Sequence, residues 1–514
     1  MKNLYELTKE LEISADTRKI SGLVYDSRKI CEGCLYIAIK GAKFDGHSAI
    51  AEAAAKGAAA VIAEYADDEQ KKACEEAGCA LYIVKDSRYA LAICSKEYFD
   101  RPSEKLKTIG ITGTKGKSTT AFMVRSAMEE LGWRCGLIGT VETDTGLRHI
   151  PSVNTTPESY TLQSYLKEMV DAGLDCVVME VSSQGLMMNR TAGICFDVGV
   201  FTNFSPDHIG PGEHKDIDDY LHCKSLLFKS CKTAVVNDDD EKCGDILKGS
   251  TCEKVIRYGF SERADVRAVS FEPSFEAGAL GSKLGFVAGA ERYDMLLPYP
   301  GRFSAYNILS ALTAVCALRN SFDKQDIPKI EKGLGKALIK GRMELLPVAE
   351  DHAVMIDYAH NAMALESLLK ALREYCRGRL ITLFGCGGNR AKSRRYEMGE
   401  ASGRLSDLTV ITSDNPRDEE PMDIIADIEE GIAHTNGKHV TIADRKQAIA
   451  YAMHEAKAGD IVILAGKGHE DYQEIKGVKH HMDERELVYE ILKEDNDSAA
   501  ISRMLKRYPY LADK

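Results

Sequence analysis

The sequence predicts an α/β protein of three domains: a small N-terminal α/β domain, a central parallel-sheet domain and a C-terminal doubly wound domain. Its 514 residues correspond to about three domains of about 150 residues each. Apolar strands alternate with helical stretches, and this alternation restarts near residue 341. A glycine-rich loop joins the first strand of the second domain to a helix. We therefore expect domains at 1–104, 105–340 and 341–514.

Composition excludes several classes of protein. The chain has 67 Lys and Arg against 79 Asp and Glu, a net charge of −12, which argues against a general nucleic-acid binder. No apolar run reaches the length of about 20 residues that spans a bilayer, and the N-terminus lacks a signal-peptide core. The 15 cysteines are scattered through apolar runs, as is typical of reduced thiols in a cytoplasm. Cys31 and Cys34 form a Cys-x-x-Cys pair, and no second pair stands at a spacing typical of zinc sites.

The first domain is predicted from short apolar strands that alternate with alanine-rich helical stretches. The predicted strands are Cys34–Ile39, Ala59–Ala63 and Ala80–Val84, and Ser48–Gly57 is a predicted helix. This pattern indicates a small α/β domain.

The second domain opens with a predicted strand at Leu106–Thr112, followed by a glycine-rich turn and a helix. Ala121, Val124 and Met128 fall on one face of that helix, together with Leu131. Further strands are predicted at Cys176–Val181, Val198–Phe201 and Ala234–Asn237. Strand–helix alternation of this kind predicts a mainly parallel sheet with helices on both faces.

The third domain repeats this alternation of strands and helices, which predicts a Rossmann-like sheet with ligands bound at the carboxyl ends of the strands. Its predicted strands are Ala353–Asp357, Leu380–Gly385, Leu408–Thr412, His439–Ile442 and Ile461–Ala465. We expect a loose polar tail after about Lys493.

A phosphate-binding loop is the strongest local signal. The loop from Gly110 to Thr119 follows a strand and opens a helix, and glycines at 110, 113 and 116 let backbone N–H groups approach phosphate oxygens. Lys117 is expected to reach the outer phosphates and the Ser118 hydroxyl to bind Mg²⁺. The alternative interpretation is a plain glycine-rich turn. A GTPase would need a guanine-reading Asn-Lys-x-Asp motif, which is absent from the sequence.

The acid at the end of a following strand suits the same chemistry. Glu180 closes the predicted strand Cys176–Val181, and a carboxylate in that place can hold Mg²⁺ directly or through water. On its own, Glu180 is equally well read as a solvated charge at a strand end.

The ordered set of motifs resembles the Mur ligases, the ATP-dependent amide-forming enzymes of peptidoglycan precursor synthesis. The central motifs are Gly113–Ser118, Asn154–Pro157, Met179–Ser183, Phe201–Asn203 and Asp207-His208. The flanking motifs are Tyr25–Arg28, Asp45–His47, Asp357–His360, Gly385–Gly388, Asp414–Arg417 and Gly466–Glu470. The resemblance covers essentially the whole chain. It implies an N-terminal uridine-nucleotide domain, a central P-loop ATPase-like domain and a C-terminal domain that binds the incoming amino acid.

The resemblance implies a reaction in which ATP phosphorylates a substrate carboxylate and an amine attacks the acyl phosphate. The implied ATP-binding residues are Gly113, Thr114, Lys115, Gly116, Lys117, Ser118, Thr119, Asn307 and Arg342. The implied ligands of Mg²⁺ are Ser118, Glu180, His208 and Lys224, the last as a carbamate formed with CO₂. Lys117, Lys224 and His208 are the implied catalytic residues.

The resemblance also implies the two other substrates. Ser27, Thr155, Thr156, Ser182 and Arg190 match positions that bind UDP-MurNAc-L-Ala-D-Glu, although Met188 and Gln184 depart from the usual pattern. The diamino acid would be bound by the residues Arg390, Asp414, Asn415, Pro416, Arg417, Gly466 and Glu470.

The resemblance also indicates which amino acid is added, through one arginine. Arg417 resembles the arginine of members that add meso-diaminopimelate, whose second carboxylate it can bind in a bidentate manner. Asn389, Ala391 and Ala362 depart from the family pattern near this site.

Three alternatives stay open. The first is an L-lysine-adding version of the same enzyme, and the second is another Mur-type or a folylpolyglutamate-type ligase. The third is a nucleotide-binding regulatory or scaffold protein that has lost catalysis, against which the intact Lys117, Glu180, His208 and Lys224 argue. We expect a cytoplasmic monomer without nucleic-acid partners or membrane insertion.

Overall fold

The protein is described from a computed structural model, which covers residues 2–13, 15–41, 44–206, 209–210, 213–276, 279–337 and 339–514. The chain divides into two compact units. Unit 1 comprises residues 1–267 and 307–334, and unit 2 comprises residues 268–306 and 335–514. Among the described residues, no helix is long and apolar enough to cross a membrane.

The N-terminal part of unit 1 is a parallel sheet in the order β1-β2-β3-β4. Its strands are β1 (Leu23–Val24), β2 (Leu35–Ile37), β3 (Ala60–Ala63) and β4 (Ala80–Ile83). Its helices are α1 (Leu4–Thr8), α2 (Ile50–Ala55), α3 (Asp68–Glu76) and α4 (Ser87–Tyr98). Strands β2 and β3 are wholly buried, which confirms the apolar runs predicted for this domain.

The second part of unit 1 is a larger sheet in the order β12-β11-β10-β5-β9-β6-β7-β8. Its strands are β5 (Lys107–Thr112), β6 (Cys135–Ile138), β7 (Glu142–Asp144), β8 (His149–Pro151), β9 (Cys176–Glu180), β10 (Phe196–Phe201), β11 (Cys231–Asn237) and β12 (Lys254–Gly259). Its helices are α5 (Lys117–Glu130), α6 (Ser159–Asp171), α7 (Ser183–Met187), α8 (Ile217–Ser225) and α9 (Cys243–Ile246). The strands from β12 to β6 run parallel.

The position of β5 decides where the site forms. It lies between β9 and β10, so the carboxyl ends of these three strands meet at one edge of the sheet. Ligands of parallel α/β sheets bind at such an edge. The loops that follow Thr112, Glu180 and Phe201 are therefore neighbours.

The chain crosses between the two units within β13, α10 and α11. The elements of this segment are β13 (Val266–Glu276), β14 (Ala279–Ala288), β15 (Glu291–Leu297), α10 (Arg302–Arg319) and α11 (Ile327–Lys336). Strands β14 and β15 pair as an antiparallel hairpin.

Unit 2 contains a sheet in the order β16-β17-β21-β18-β19-β20 and a separate hairpin of β22 and β23. The strands are β16 (Glu344–Leu346), β17 (Ala353–Asp357), β18 (Leu380–Phe384), β19 (Leu408–Ile411), β20 (His439–Thr441), β21 (Ile461–Ala465), β22 (Tyr472–Ile475) and β23 (Val478–His481). The helices are α12 (Ala362–Arg373), α13 (Ser393–Leu405), α14 (Pro421–Ala433), α15 (Arg445–Glu455), α16 (Glu484–Glu494) and α17 (Ser498–Arg507).

Both faces of this sheet are buried, which confirms the doubly wound prediction. Alternate residues of β17 enter different cores, since Met355 packs with α12 to α14 whereas Ile356 packs with α15 to α17. Continuous apolar strands are typical of parallel sheets that helices cover on both faces.

The prediction of a loose tail after Lys493 is wrong. Asp497 caps the N-terminus of α17, and the side chains of Ala500 and Met504 are fully buried in the core of the sheet. Leu511, near the end of the chain, is buried in the same core. The apolar stripe of α17 is too narrow to stand out in a polar segment.

Candidate active site

The phosphate-binding loop follows β5 and ends where α5 begins at Lys117. Gly113 and Gly116 have φ values of 145° and 85°, which L-residues with a side chain rarely adopt. A Cβ atom at Gly116 would lie 2.5 Å from Oδ1 of Asn307. Asn307 therefore lies against the loop, as the sequence predicts for a nucleotide-contacting residue. Ser118 and Thr119 follow in the first turn of α5.

Two lysines donate to one carbonyl oxygen of this loop. Lys117 Nζ lies 2.9 Å from the oxygen of Gly113 and 3.1 Å from that of Thr114. Lys224 Nζ, from the buried side of α8, lies 2.8 Å from the same Gly113 oxygen. The Lys224 ammonium also lies 4.3 Å from the centre of the Tyr220 ring. The two predicted catalytic lysines are thus adjacent to the phosphate-binding loop.

Asn203, which was not among the predicted site residues, forms hydrogen bonds with the same loop. Its carbonyl oxygen accepts the N–H of Thr114 at 2.8 Å, and its side-chain oxygen accepts the N–H of Lys115 at 2.9 Å. Its amide nitrogen donates to the Lys115 carbonyl oxygen at 3.0 Å. The signal was available, because Asn203 belongs to the Phe201–Asn203 motif at the end of β10.

Glu180 closes β9 and is almost fully buried. Its carboxylate accepts the N–H of Thr140 at 2.7 Å and the hydroxyl of Thr140 at 3.1 Å. The Thr140 hydroxyl lies 3.0 Å from that of Thr155. Thr140, absent from the predicted site, therefore joins a predicted metal ligand to a predicted substrate-binding residue.

Thr156, Ser182 and Arg190 form a connected set beside Glu180. Thr156 Oγ1 lies 3.0 Å from the Glu180 carbonyl oxygen and accepts the N–H of Ser182 at 2.9 Å. Ser182 caps α7 through the N–H of Gly185. Arg190 Nη1 donates to the Thr156 carbonyl oxygen at 2.9 Å. Four of the five predicted uridine-nucleotide residues are thus neighbours.

The fifth, Ser27, lies in a short 3₁₀ turn after β1. Asp26 caps this turn, and a hydrogen bond from Arg28 is the main cause that lowers the pKa of Asp26 to about 2. Among the described residues, no hydrogen bond joins Ser27 to Thr155, Thr156, Ser182 or Arg190. The N-terminal part of unit 1 does contact the segment that follows Thr156, since Arg88 of α4 donates to Glu158 at 3.0 Å.

A chain of polar groups connects α7 to α8. His214 is fully buried, with Nε2 at 2.8 Å from Ser183 Oγ and Nδ1 at 3.1 Å from Asp219 Oδ2. This chain fixes the helix that carries Lys224 against the residue that follows Ser182. His208, a predicted catalytic and metal-binding residue, lies outside the described residues, as does Asp207.

In unit 2, Arg342 and Asp357 lie where the chain enters the C-terminal sheet. The guanidinium carbon of Arg342 lies 4.8 Å from the centre of the Tyr358 ring. Asp357 Oδ2 accepts the N–H of Met343 at 2.8 Å, and burial raises the pKa of this carboxyl group. Gly341, with φ of 70°, packs directly against the backbone of Gly468.

The segment Asp414–Arg417 follows β19 and is tied to the β22–β23 hairpin. Arg417 has a φ of 51°, an uncommon conformation for a residue other than glycine. Its N–H donates to the carbonyl oxygen of Glu474 at 3.0 Å, and its carbonyl oxygen accepts the N–H of Lys476 at 2.8 Å. Its Nε lies 3.1 Å from Oε2 of Glu474. Such strain at a fixed loop is typical of functional sites.

The glycines that follow β18 bring two predicted arginines together. A Cβ atom at Gly387 would lie 2.8 Å from Nη1 of Arg417 and 3.9 Å from Cγ of Arg390. Arg417 Nη1 also donates to the Gly388 carbonyl oxygen at 2.8 Å. The exposed Arg390 and the half-buried Arg417 therefore lie beside the same glycine.

The predicted carboxylates Asp414 and Glu470 lie on either side of a lysine. Lys467 Nζ is 3.5 Å from Asp414 Oδ1 and 3.1 Å from Glu470 Oε2. Gly466, with φ of 106°, leaves room for Asp414, because a Cβ atom there would lie 3.0 Å from Asp414 Oδ2. Lys467 was not among the predicted site residues, although it belongs to the Gly466–Glu470 motif.

Three family models match successive parts of the chain. The "Mur ligase family, catalytic domain" matches residues 19–99, the "Mur ligase middle domain" matches 111–315, and the "Mur ligase, glutamate ligase domain" matches 341–468.

Curated relatives match over nearly the whole chain. A protein of Clostridium perfringens is 39% identical over 95% of this chain and 97% of its own length. A protein of Caldanaerobacter subterraneus is 41% identical over 92% of this chain and 95% of its own length. Both are named UDP-N-acetylmuramoyl-L-alanyl-D-glutamate–2,6-diaminopimelate ligase.

Solved structures agree. A structure bearing that same ligase name matches with a TM-score of 0.72 and 29% identity, covering 96% of this chain and 100% of the other. A structure named UDP-N-acetylmuramoylalanyl-D-glutamyl-2,6-diaminopimelate–D-alanyl-D-alanyl ligase, from Acinetobacter baumannii, shares the fold with a TM-score of 0.58 and 19% identity, and the match covers 90% of this chain and 95% of the other. The chain belongs to the Mur ligase family and is an ATP-dependent amide ligase with the three-domain α/β architecture of that family.

Proposed function

We propose that this ligase joins meso-2,6-diaminopimelate to the D-Glu residue of UDP-MurNAc-L-Ala-D-Glu during peptidoglycan precursor synthesis. The relatives at 39% and 41% identity carry the name of this activity over nearly their full length. The observation that carries the proposal is the arrangement around Gly387 and Lys467. Two arginines and two carboxylates there suit the far end of a diamino acid that bears both a carboxylate and an ammonium group.

The nucleotide would bind at the loop from Gly113 to Thr119. Backbone N–H groups at the start of α5 suit phosphate oxygens, and the Lys117 ammonium is near enough to turn toward them. Asn307 lies against Gly116, so it can contact the nucleotide. As the resemblance implies, Arg342 would contribute a cation to the ATP phosphates.

Mg²⁺ fits the donor groups at this edge of the sheet. Mg²⁺ prefers oxygen ligands, and the buried carboxylate of Glu180 and the hydroxyl of Ser118 supply oxygen at the ends of adjacent elements. His208 and a carbamate on Lys224 would complete the set. The metal would neutralise phosphate charge during transfer.

The uridine nucleotide would bind beside Glu180. Thr155, Thr156, Ser182 and Arg190 offer hydroxyl and guanidinium groups in one connected set, which suits diphosphate, sugar and carboxylate oxygens. Ser27 would contribute from the N-terminal sheet.

The reaction would proceed in two steps with a balanced exchange of groups. An oxygen of the D-Glu carboxylate attacks the γ-phosphorus of ATP, and ADP leaves. The amine of diaminopimelate then attacks the acyl carbon, loses a proton and displaces phosphate, which carries the former carboxylate oxygen. Binding would hold the reacting groups in line, which itself supplies a large part of the rate. We also propose the domain boundaries 1–104, 105–340 and 341–514, and action as a cytoplasmic monomer.

Oxygen-18 in the D-Glu carboxylate tests this proposal. With ATP, Mg²⁺ and diaminopimelate present, one labelled oxygen is expected in the released phosphate and the other in the new amide. Omission of any substrate should stop phosphate release. Amide product formed with unlabelled phosphate would contradict the acyl-phosphate route, and absence of product with every amino acid would contradict the ligase assignment to this substrate.

A further inference from the structure

Lys467 lies at the centre of the predicted amino-acid site. Its side chain is fully buried. Its Nζ donates to Oδ1 of Asn415 at 2.8 Å, to Oε2 of Glu470 at 3.1 Å and to the carbonyl oxygen of Tyr472. One ammonium group thus holds two predicted amino-acid-binding residues and the first residue of the β22–β23 hairpin.

Asn415 closes the arrangement. Its Nδ2 donates at 2.9 Å to the same Glu470 oxygen that Lys467 contacts. Its Oδ1 also accepts the N–H of Glu474 at 2.9 Å. Because Glu474 in turn binds Arg417, the Lys467 ammonium is connected through Asn415 and Glu474 to the residue expected to bind the distal carboxylate.

The charged side chains around Lys467 form two groups of opposite net charge. Asp414 and Glu470 carry two negative charges and Lys467 one positive charge, which leaves −1 beside the expected distal ammonium. Arg390 and Arg417 carry two positive charges and Glu474 one negative charge, which leaves +1 beside the expected distal carboxylate. The site therefore complements a zwitterionic end group.

Burial of this lysine has an electrostatic cost. An ammonium group removed from water is costly unless it is paired and hydrogen-bonded. An apolar side chain of similar length would fill the same space without that cost. The ammonium meets that condition through its contacts with Asn415, Glu470 and the carbonyl oxygen of Tyr472.

We propose that Lys467 is a positioning residue that sets both affinity and selectivity for the diamino acid. It fixes Asn415 and Glu470 in place and cancels one of the two carboxylate charges. This inference rests on the proposed function. Without the ammonium, the site would carry −2 beside the distal group, which favours a side chain with an ammonium and no carboxylate, such as that of L-lysine.

Lys467→Met tests the proposal, because methionine is unbranched and uncharged and its side chain is only one heavy atom shorter than that of lysine. The expected result is a rise of about tenfold or more in KM for diaminopimelate, while KM for ATP and for the uridine nucleotide change less than about twofold. The preference for diaminopimelate over L-lysine, measured as the ratio of kcat/KM values, should fall by about tenfold. Lys467→Arg, which keeps the charge, should retain more of both.

Lys479→Met is the matched control. Lys479 is exposed, lies 3.8 Å from the centre of the Tyr472 ring and contacts the same hairpin without reaching Asp414 or Glu470. It should leave all three KM values unchanged. An unchanged KM for diaminopimelate in Lys467→Met, or an equal rise in all three KM values, would overturn the proposal.

Two further measurements keep the outcome decisive. If Lys467→Met does not fold, a double-mutant cycle between Lys467→Arg and Glu470→Gln replaces it. Coupling between the two changes in kcat/KM for diaminopimelate is expected, and additive effects would contradict the proposal. Assay of the wild type distinguishes failure of the proposed function from failure of the Lys467 proposal. If the wild type does not use diaminopimelate, the proposed function is refuted, whatever the variants show.

Discussion

Lys224 donates a hydrogen bond from its buried ammonium to the carbonyl oxygen of Gly113, at 2.8 Å. A helix residue 111 positions away in sequence is thereby attached to the phosphate-binding loop. Lys117 donates to the same oxygen at 2.9 Å, so two like charges share one acceptor and repel each other. Carbamylation of Lys224 would replace one cation with an anion and relieve this repulsion. The geometry therefore bears directly on the predicted chemistry of Lys224.

Lys224→Arg separates the two roles that Lys224 could have. Arginine keeps a positive charge and can still donate a hydrogen bond, but it cannot form the carbamate. We expect kcat to fall by about 100-fold or more, the scale of losing one preorganised catalytic group. Lys229→Arg, at an exposed position shortly after the same helix, should leave kcat unchanged. A signal from carbon-13-labelled bicarbonate should be seen in the wild type and be absent from Lys224→Arg. Wild-type kcat in Lys224→Arg would contradict a role as carbamate.

Gly116→Ala should impair use of ATP beyond its effect on stability. The φ of 85° costs a residue with a side chain about 1–2 kcal/mol, and the new methyl group would displace the amide of Asn307. We expect a rise of about tenfold in KM for ATP, the scale of one lost hydrogen bond. Gly132→Ala is the matched control, since Gly132 has a φ of 87° and nothing within 4 Å of its would-be Cβ atom. Thermal midpoints should fall in both variants, and KM for ATP should rise in Gly116→Ala alone. Equal KM values in the two variants would show that Asn307 does not serve the nucleotide.

Arg417→Ala should weaken use of the diamino acid far more than use of ATP. The substitution removes a guanidinium group that Glu474 and the Gly388 carbonyl oxygen hold in place. On the proposed function a bidentate bond to the substrate carboxylate would be lost, so KM for diaminopimelate should rise by about tenfold to 100-fold. Arg404→Ala, which removes an exposed arginine of α13, provides the control. An equal loss for ATP and diaminopimelate would remove Arg417 from amino-acid recognition.

His469 should stay neutral at pH values where an exposed histidine is protonated. Burial is the main cause that lowers its pKa below 6.5, and its Nδ1 has no hydrogen-bond partner among the described residues. Because the unfolded chain binds this proton more readily, stability should decline as pH falls from 6.5 through the folded-state pKa. Titration of the His469 ring by NMR should give a midpoint below 6.5. A midpoint at or above that value would contradict the burial argument, and His469→Phe should lessen the decline in stability.

Much of the fold could be predicted because buried parallel strands are short continuous apolar runs. The predicted strands Ala353–Asp357 and Ile461–Ala465 agree with the structure residue for residue, and Leu106–Thr112 differs by one residue. The helix α17 escaped prediction because only a narrow stripe of apolar side chains faces the core. The hairpin of β14 and β15 was missed as well, because four of the seven residues of β15 are exposed and its sequence resembles a loop.

The candidate site divides in the same way. Motifs that are contiguous in sequence, such as the phosphate-binding loop and Asp414–Arg417, could be recognised directly. Thr140 belongs to none of these motifs, and its contact with Glu180 depends on strand order. Asn203 and Lys467 lie within recognised motifs, but their roles depend on contacts with Lys115 and Asn415, which are distant in sequence. Because β10 lies beside β5, Asn203 at the end of β10 is placed next to the phosphate-binding loop and can form hydrogen bonds with it.

Phosphate release is the most direct test of the central claim. The wild-type protein would be supplied with ATP, Mg²⁺ and UDP-MurNAc-L-Ala-D-Glu, and meso-diaminopimelate would be compared with L-lysine at equal concentrations. Because two arginines lie beside Gly387, we expect diaminopimelate to drive phosphate release and L-lysine to drive little or none. Release driven by L-lysine to the same or a greater extent would contradict the assignment of the distal site.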